Sequence, residues 1–184
     1  MGSILSPYKA KDDRLRSYTI LMDTNPLLSL PPQLLEPAGS APGIYALILY
    51  LNQTRQQQIG RLGTFTFFPG SYLYIGSARG PGGIAARVGR HIQNARAKRR
   101  RWHIDWLRAI TEPIGVIWTH ASDALECNWA QSFSTLSRRE PGGFGASDCR
   151  CPGHLIRLDP IFKLDSVRPA LSNPDGPELH MAHL

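Results

Sequence analysis

Arg87 and His91 stand four residues apart in "GIAARVGRHIQNA", so a helix through this stretch sets both on one face. The planar fork of a guanidinium meets two phosphate oxygens at once, which a lysine cannot reproduce. An imidazole beside it can hold or pass a proton near neutral pH. Upstream, "GSYLYIGSA" carries Tyr74, and the apolar run "GIYALILYL" carries Tyr45. A phenol with a pKa near 10 is a poor base at neutral pH, so a tyrosine that takes a proton needs a cation or a metal-bound water close by. Arg87 is the cation at hand. These types suit phosphodiester hydrolysis, which requires an in-line water, neutralisation of charge building on the phosphoryl oxygens, and help for the leaving oxygen. Singly, each has an ordinary reading: strand aromatics and an exposed helix face.

A second group lies further on. "CRCPGH" offers Cys149, Cys151 and His154, and Cys127 follows Glu126 in "SDALECNWAQSFSTLSRR". Four ligands of zinc type meet if that helix packs on the loop. The spacing is unlike common zinc fingers, and buried thiols packing the loop are the simpler expectation. Glu126 alone reads as the third residue of a capping box opened by Asp123. Three cysteines cannot all pair, and no secretory leader is visible, so a reducing cytoplasm is the expected setting.

The formal net charge is +7 and the pI near 9.7. From Arg79 to Arg101 there are eight Arg or Lys and no Asp or Glu, a concentration that favours a polyanionic partner. Arg79, Arg90, Lys98, Arg99, Arg100 and Arg101 are the expected nucleic-acid contacts, joined by Trp102 and His103. For Trp102, His103 and Asp105 the choice between touching nucleic acid and docking a helix stays open, whereas Trp106 is expected to dock. No apolar run approaches the roughly 18 residues that span a bilayer, so no membrane partner is expected.

The elements that must position these groups follow from hydrophobic periodicity. "GIYALILYL", "RQQQIGRLGTFTFF" and "GSYLYIGSA" read as three strands, "IGVIWT" as a further one. Ile84, Val88, Ile92 and Ala95 form one buried helix stripe, "RWHIDWLRAI" a second short helix, and Leu125, Trp129, Phe133 and Leu136 the buried side of a third. Proline breaks every apolar run in residues 1–40, which read as an N-terminal arm. Residues 41–160 make one domain, and residues 161–184, rich in Pro, Gly and His, read as a C-terminal tail.

"GIY" at Gly43–Tyr45, "YIG" at Tyr74–Gly76, the helical Arg87 and His91, and Glu126 on a later helix together resemble the GIY-YIG nuclease superfamily. "GRLG", "WHIDWL" and "GFGASDCRCPGHL" resemble a poorly characterised subgroup of it, found alone or fused to endonuclease III-type repair proteins. The resemblance implies an α/β (α+β) fold: a small mixed, mostly antiparallel three-stranded sheet flanked by helices. It also implies a metal-dependent endonuclease on DNA, more than RNA, in repair or processing, with a possible DNA-repair protein partner. Carried over, Tyr45 is the base, Tyr74 orients water or phosphate, Arg87 clamps the phosphate, His91 assists by hydrogen bonding or proton transfer, and Glu126 holds one Mg2+ or Mn2+. The 28 residues between Tyr45 and Tyr74 exceed the spacing of compact members, and a longer hairpin through "NQTRQQQIGRLG" is expected to absorb them. Two other classes compete: a noncatalytic nucleic-acid-binding module on the same fold, and an interaction domain stabilised by Zn2+.

Overall fold

The computed structural model describes residues 38–93, 99–120, 125–133, 137–139, 141–158, 167, 171 and 178–184. The expected arm over 1–40 lies outside them up to residue 37, as do Ala95, Lys98, Asp123 and Leu136.

Strand β1 (Gly43–Leu51) is buried along almost its whole length, which requires neighbours on both edges and cover on both faces. It has both. Strand β4 (Gly70–Ala78) pairs with one edge and β5 (Glu112–Thr119) with the other, both antiparallel. Because successive side chains alternate between faces, Tyr45, Leu47, Leu49 and Leu51 enter one core and Ile44, Ala46 and Ile48 the other. Helices α1 (Gly83–Ile92) and α2 (His103–Leu107) close the first core through Ile84, Val88, Ile104 and Leu107. Helix α3 (Leu125–Ser132) and the turn after it close the second through Trp129, Ala130 and Phe133.

The class is mixed α+β, and the sheet is larger than the three strands expected. Strands β6 (Ser137–Arg139), β7 (Leu155–Leu158) and β8 (His180–His183) extend it to six, in the order β6, β7, β4, β1, β5, β8, with every neighbouring pair antiparallel. The return strand of β1 is β4. "RQQQ" and "TFTF" instead pair with each other as β2 (Arg55–Gln58) and β3 (Thr64–Phe67), a separate two-stranded hairpin that takes up the long spacing between the tyrosines. The expected C-terminal tail is also corrected. Val167, Leu171 and Leu179 are buried in the second core, and β8 satisfies the outer edge of β5. "HMAH" is too short and mixed to read as a strand; the open backbone of its neighbour makes it one.

Helix α1 starts where the chain passes closest to the segment before β1. Gly83 has φ +53°, and a Cβ there would strike the carbonyl oxygens of Ser40 and Ala41. The first helical amides bond to that segment, Ile84 N–H to Ala41 O at 3.1 Å and Ala85 N–H to Gly39 O at 3.1 Å. The other end of α1 is held by buried Arg108, whose Nε donates to the His91 carbonyl at 2.8 Å. Among the described residues no helix is long and apolar enough to cross a membrane.

Candidate active site

Tyr45 and Gly76 are partners across the β1/β4 ladder, which explains why a tyrosine faces a glycine. A Cβ on Gly76 would lie 2.5 Å from the Tyr45 hydroxyl, so the ring can lie over β4 only because that side chain is missing. The hydroxyl then reaches His91 Nε2 at 2.9 Å. Gly76→Ala is expected to push the ring aside at a cost of about 1–3 kcal/mol, a melting temperature lower by about 2–10 °C. An unchanged melt would show that the ring does not depend on this gap.

Tyr45, Tyr74, Arg87, His91 and Glu126 all line one cleft of about 300 Å3, with Ser77, Arg101, Trp102, His103 and Asp148 among its other walls. The Tyr74 ring lies 6.3 Å from that of Tyr45 and 6.0 Å from His91. Tyr45 and His91 are each 1% exposed. Burial pushes the Tyr45 phenol well above its ordinary pKa; neighbouring Tyr74 adds to this, and Arg87 opposes without prevailing. Tyr74 is raised for the same first reason, with Glu126 adding. Arg87 therefore acts in the expected direction but leaves Tyr45 neutral at neutral pH.

Asp105 lies behind His91: the imidazole Nδ1 is 3.9 Å from Asp105 Oδ1, and Asp105 is completely buried. Asp105 Oδ2 accepts from the Arg101 backbone N–H (2.8 Å), the Trp102 N–H (3.1 Å) and Arg90 Nη2 (3.0 Å). Fully buried, Asp105 ties the start of α2 to the end of α1 beneath His91. Arg90, expected on nucleic acid, donates to Asp105 and to the Arg99 carbonyl, with its side chain still 27% exposed. Trp102 is half-buried against the first core and carries the Arg87 guanidinium 4.2 Å from its ring centroid, which fixes where that cation points. His103 Nδ1 accepts from the Gly145 N–H at 3.1 Å. Arg79, Arg99, Arg100 and Arg101 are exposed, and Trp106 docks on the core as expected.

Glu126 comes from the opposite wall on α3, its side chain 18% exposed. Burial pushes its carboxyl up, but hydrogen bonds from His154 and Ser77, with the charges of His154 and Arg79, outweigh that and hold it below the ordinary range. The His154 contact is 3.0 Å, Nδ1 to Oε1. Sequence reading missed Ser77 and Asp148; their signal is adjacency, Ser77 following "YIG" and Asp148 preceding Cys149.

Behind Glu126, the ligand atoms of Cys127, Cys149, Cys151 and His154 all lie within 4.8 Å of one another, a group able to hold a metal ion. The sulfurs of Cys127 and Cys151 are joined, with Cα atoms 6.2 Å apart, and Cys149 is free. The expected buried, packed thiols are not found: Cys127 on α3 and Cys149 and Cys151 on the loop before β7 are all partly exposed.

The antiparallel sheet's central strand and the first long helix meet in a phenol, imidazole and guanidinium cleft, faced by one carboxylate, which makes a preformed polar site. Residues 44–172 match the family model described as "Domain of unknown function DUF123", and the chain belongs to that family. No curated protein and no solved structure matches it.

Proposed function

We propose that this protein is a metal-dependent endonuclease of GIY-YIG type, acting on DNA in the cytoplasm during repair or processing, alongside repair proteins. The observation that carries this reading is the Tyr45 hydroxyl bonded to His91 Nε2 in the same cleft as Arg87 and Glu126. In this reading the phosphate is clamped by Arg87, held in place by stacking on Trp102. Tyr45 takes the proton from the attacking water as its own moves to His91 Nε2, so no free phenolate has to form in the buried site. Asp105 favours the imidazolium that results. Tyr74 fixes the orientation of the reacting groups.

Glu126 suits Mg2+ or Mn2+. It reaches the cleft, keeps its charge, and shares the cleft with Asp148, and an ion that retains several waters needs little more. Such an ion supplies charge neutralisation on the phosphoryl oxygens and the leaving group. The Cys/His group is assigned to Zn2+, whose preferred donors are thiolate and imidazole. The test is incubation with labelled single-stranded, duplex and branched DNA and RNA in Mg2+, Mn2+ or chelator. Metal-dependent products support the nuclease; none on any substrate would overturn it. The deep burial of Tyr45 favours a second reading, a noncatalytic nucleic-acid-binding module, which predicts binding without products.

In either reading Arg99, Arg100 and Arg101 supply affinity without base recognition. Replacing all three by alanine should reduce the slope of log affinity against log salt by roughly 2–3 on duplex DNA. An unchanged slope would remove the tract from the interface.

A further inference from the structure

His154 faces two sites at once. Its Nδ1 lies 3.0 Å from Glu126 Oε1, while its Nε2 lies 3.4 Å from Cys149 Sγ and 3.9 Å from Cys127 Sγ. A tetrahedral zinc with bonds of about 2.3 Å to sulfur and 2.0 Å to nitrogen sets those donors about 3.6 Å apart, so both spacings are near those of ligands sharing one ion. The Cys127–Cys151 link accounts for only two of the four donors. It leaves the Cys149 sulfur, which accepts from the Cys151 N–H at 3.5 Å, and a ring nitrogen of an imidazole only 1% exposed. One ion satisfies all four.

We propose that His154 is a positioning residue: bound to zinc through Nε2, it donates Nδ1–H to Glu126 and so aims the cleft carboxylate. This rests on the assignment of the Cys/His group to Zn2+. A ligating histidine commonly donates its second N–H to a carboxylate, which fixes ring and tautomer and strengthens the ligand. Here that outer carboxylate is itself a candidate ligand of the reaction centre. The zinc site and the cleft are then coupled, and the coupling runs both ways: loss of the carboxylate must weaken zinc as loss of zinc frees the carboxylate.

The disulfide and the zinc site claim the same two sulfurs, so the protein is purified in reductant without added metal and then assayed. About one zinc per chain is expected. Competition with a chromophoric chelator at fixed pH should show Glu126→Ala losing 10- to 100-fold in zinc affinity. His154→Cys keeps four zinc donors but has no N–H to offer Glu126. It should retain zinc, bind Mn2+ at least tenfold more weakly in the cleft, and lower kcat with little change in DNA affinity. Reduced protein without zinc, melting indifferently to chelator, would defeat the zinc assignment and the proposal together. Zinc retained with equal affinity in Glu126→Ala would leave the zinc assignment standing and overturn the positioning role. Should His154→Cys fail to fold, the zinc affinity of Glu126→Ala decides alone.

Discussion

Tyr45→Phe should slow single-turnover cleavage by about 10²- to 10⁴-fold, the range spanned by a positioned proton acceptor. DNA affinity should hardly change, since the ring is buried and offers no ground-state phosphate contact. Stability should fall by about 1–3 kcal/mol, because a buried hydrogen bond of 2.9 Å to His91 Nε2 is lost. Burial holds the phenol above its ordinary pKa, so the hydroxyl that relays the proton stays intact through the neutral range, and phenolate formation should leave no step in the native pH–rate profile there. Full-rate cleavage by Tyr45→Phe would take Tyr45 out of the chemistry.

Glu126→Gln and Arg87→Ala should both suppress cleavage but part company on binding. Glutamine keeps size and hydrogen bonding yet loses the charge that would hold a cation, so DNA affinity should persist or rise as repulsion is relieved. Arg87→Ala removes a ground-state phosphate contact together with transition-state stabilisation, so binding should weaken and the rate fall on the order of a hundredfold or more. Its effect should be local, because Trp102 keeps the Arg90 guanidinium over its ring, 4.8 Å from the centroid. Measuring Kd and the single-turnover rate for each variant decides the matter. Equal rates in Glu126→Gln and the native protein would leave Glu126 only the helix-start role its sequence position suggests.

The cleft was more legible than the sheet around it. The four-residue step from Arg87 to His91 and the alternation within "GIYALILYL" are local periodicities, and local geometry carries them unchanged into the fold. Trp129 and Phe133 are buried, as their helical spacing requires. What failed to show was whatever depends on distant pairing. "HMAH" is a strand only because the outer edge of β5 is open, and "RQQQ" leaves the main sheet because "TFTF" is its nearer partner. Asp105 was visible as a residue but not as the anchor of His91, since its partners come from the end of α1 and the start of α2. Likewise nothing in "CRCPGH" points to Glu126; that contact exists because α3 and the loop before β7 pack together.

The two sides of the cleft are mounted on supports of unequal permanence. Tyr45 rides the central strand, bonded along both edges and covered on both faces, so its amide proton should exchange with deuterium only when the whole domain opens. Glu126 sits in the first turn of an eight-residue helix steadied by a short loop of cysteines and glycines. Its amide should exchange through smaller, more frequent openings. Mild denaturant should therefore disarm the carboxylate wall while the phenol and imidazole stay in register, giving a protein that is inactive yet spectroscopically folded and that recovers without refolding its sheet.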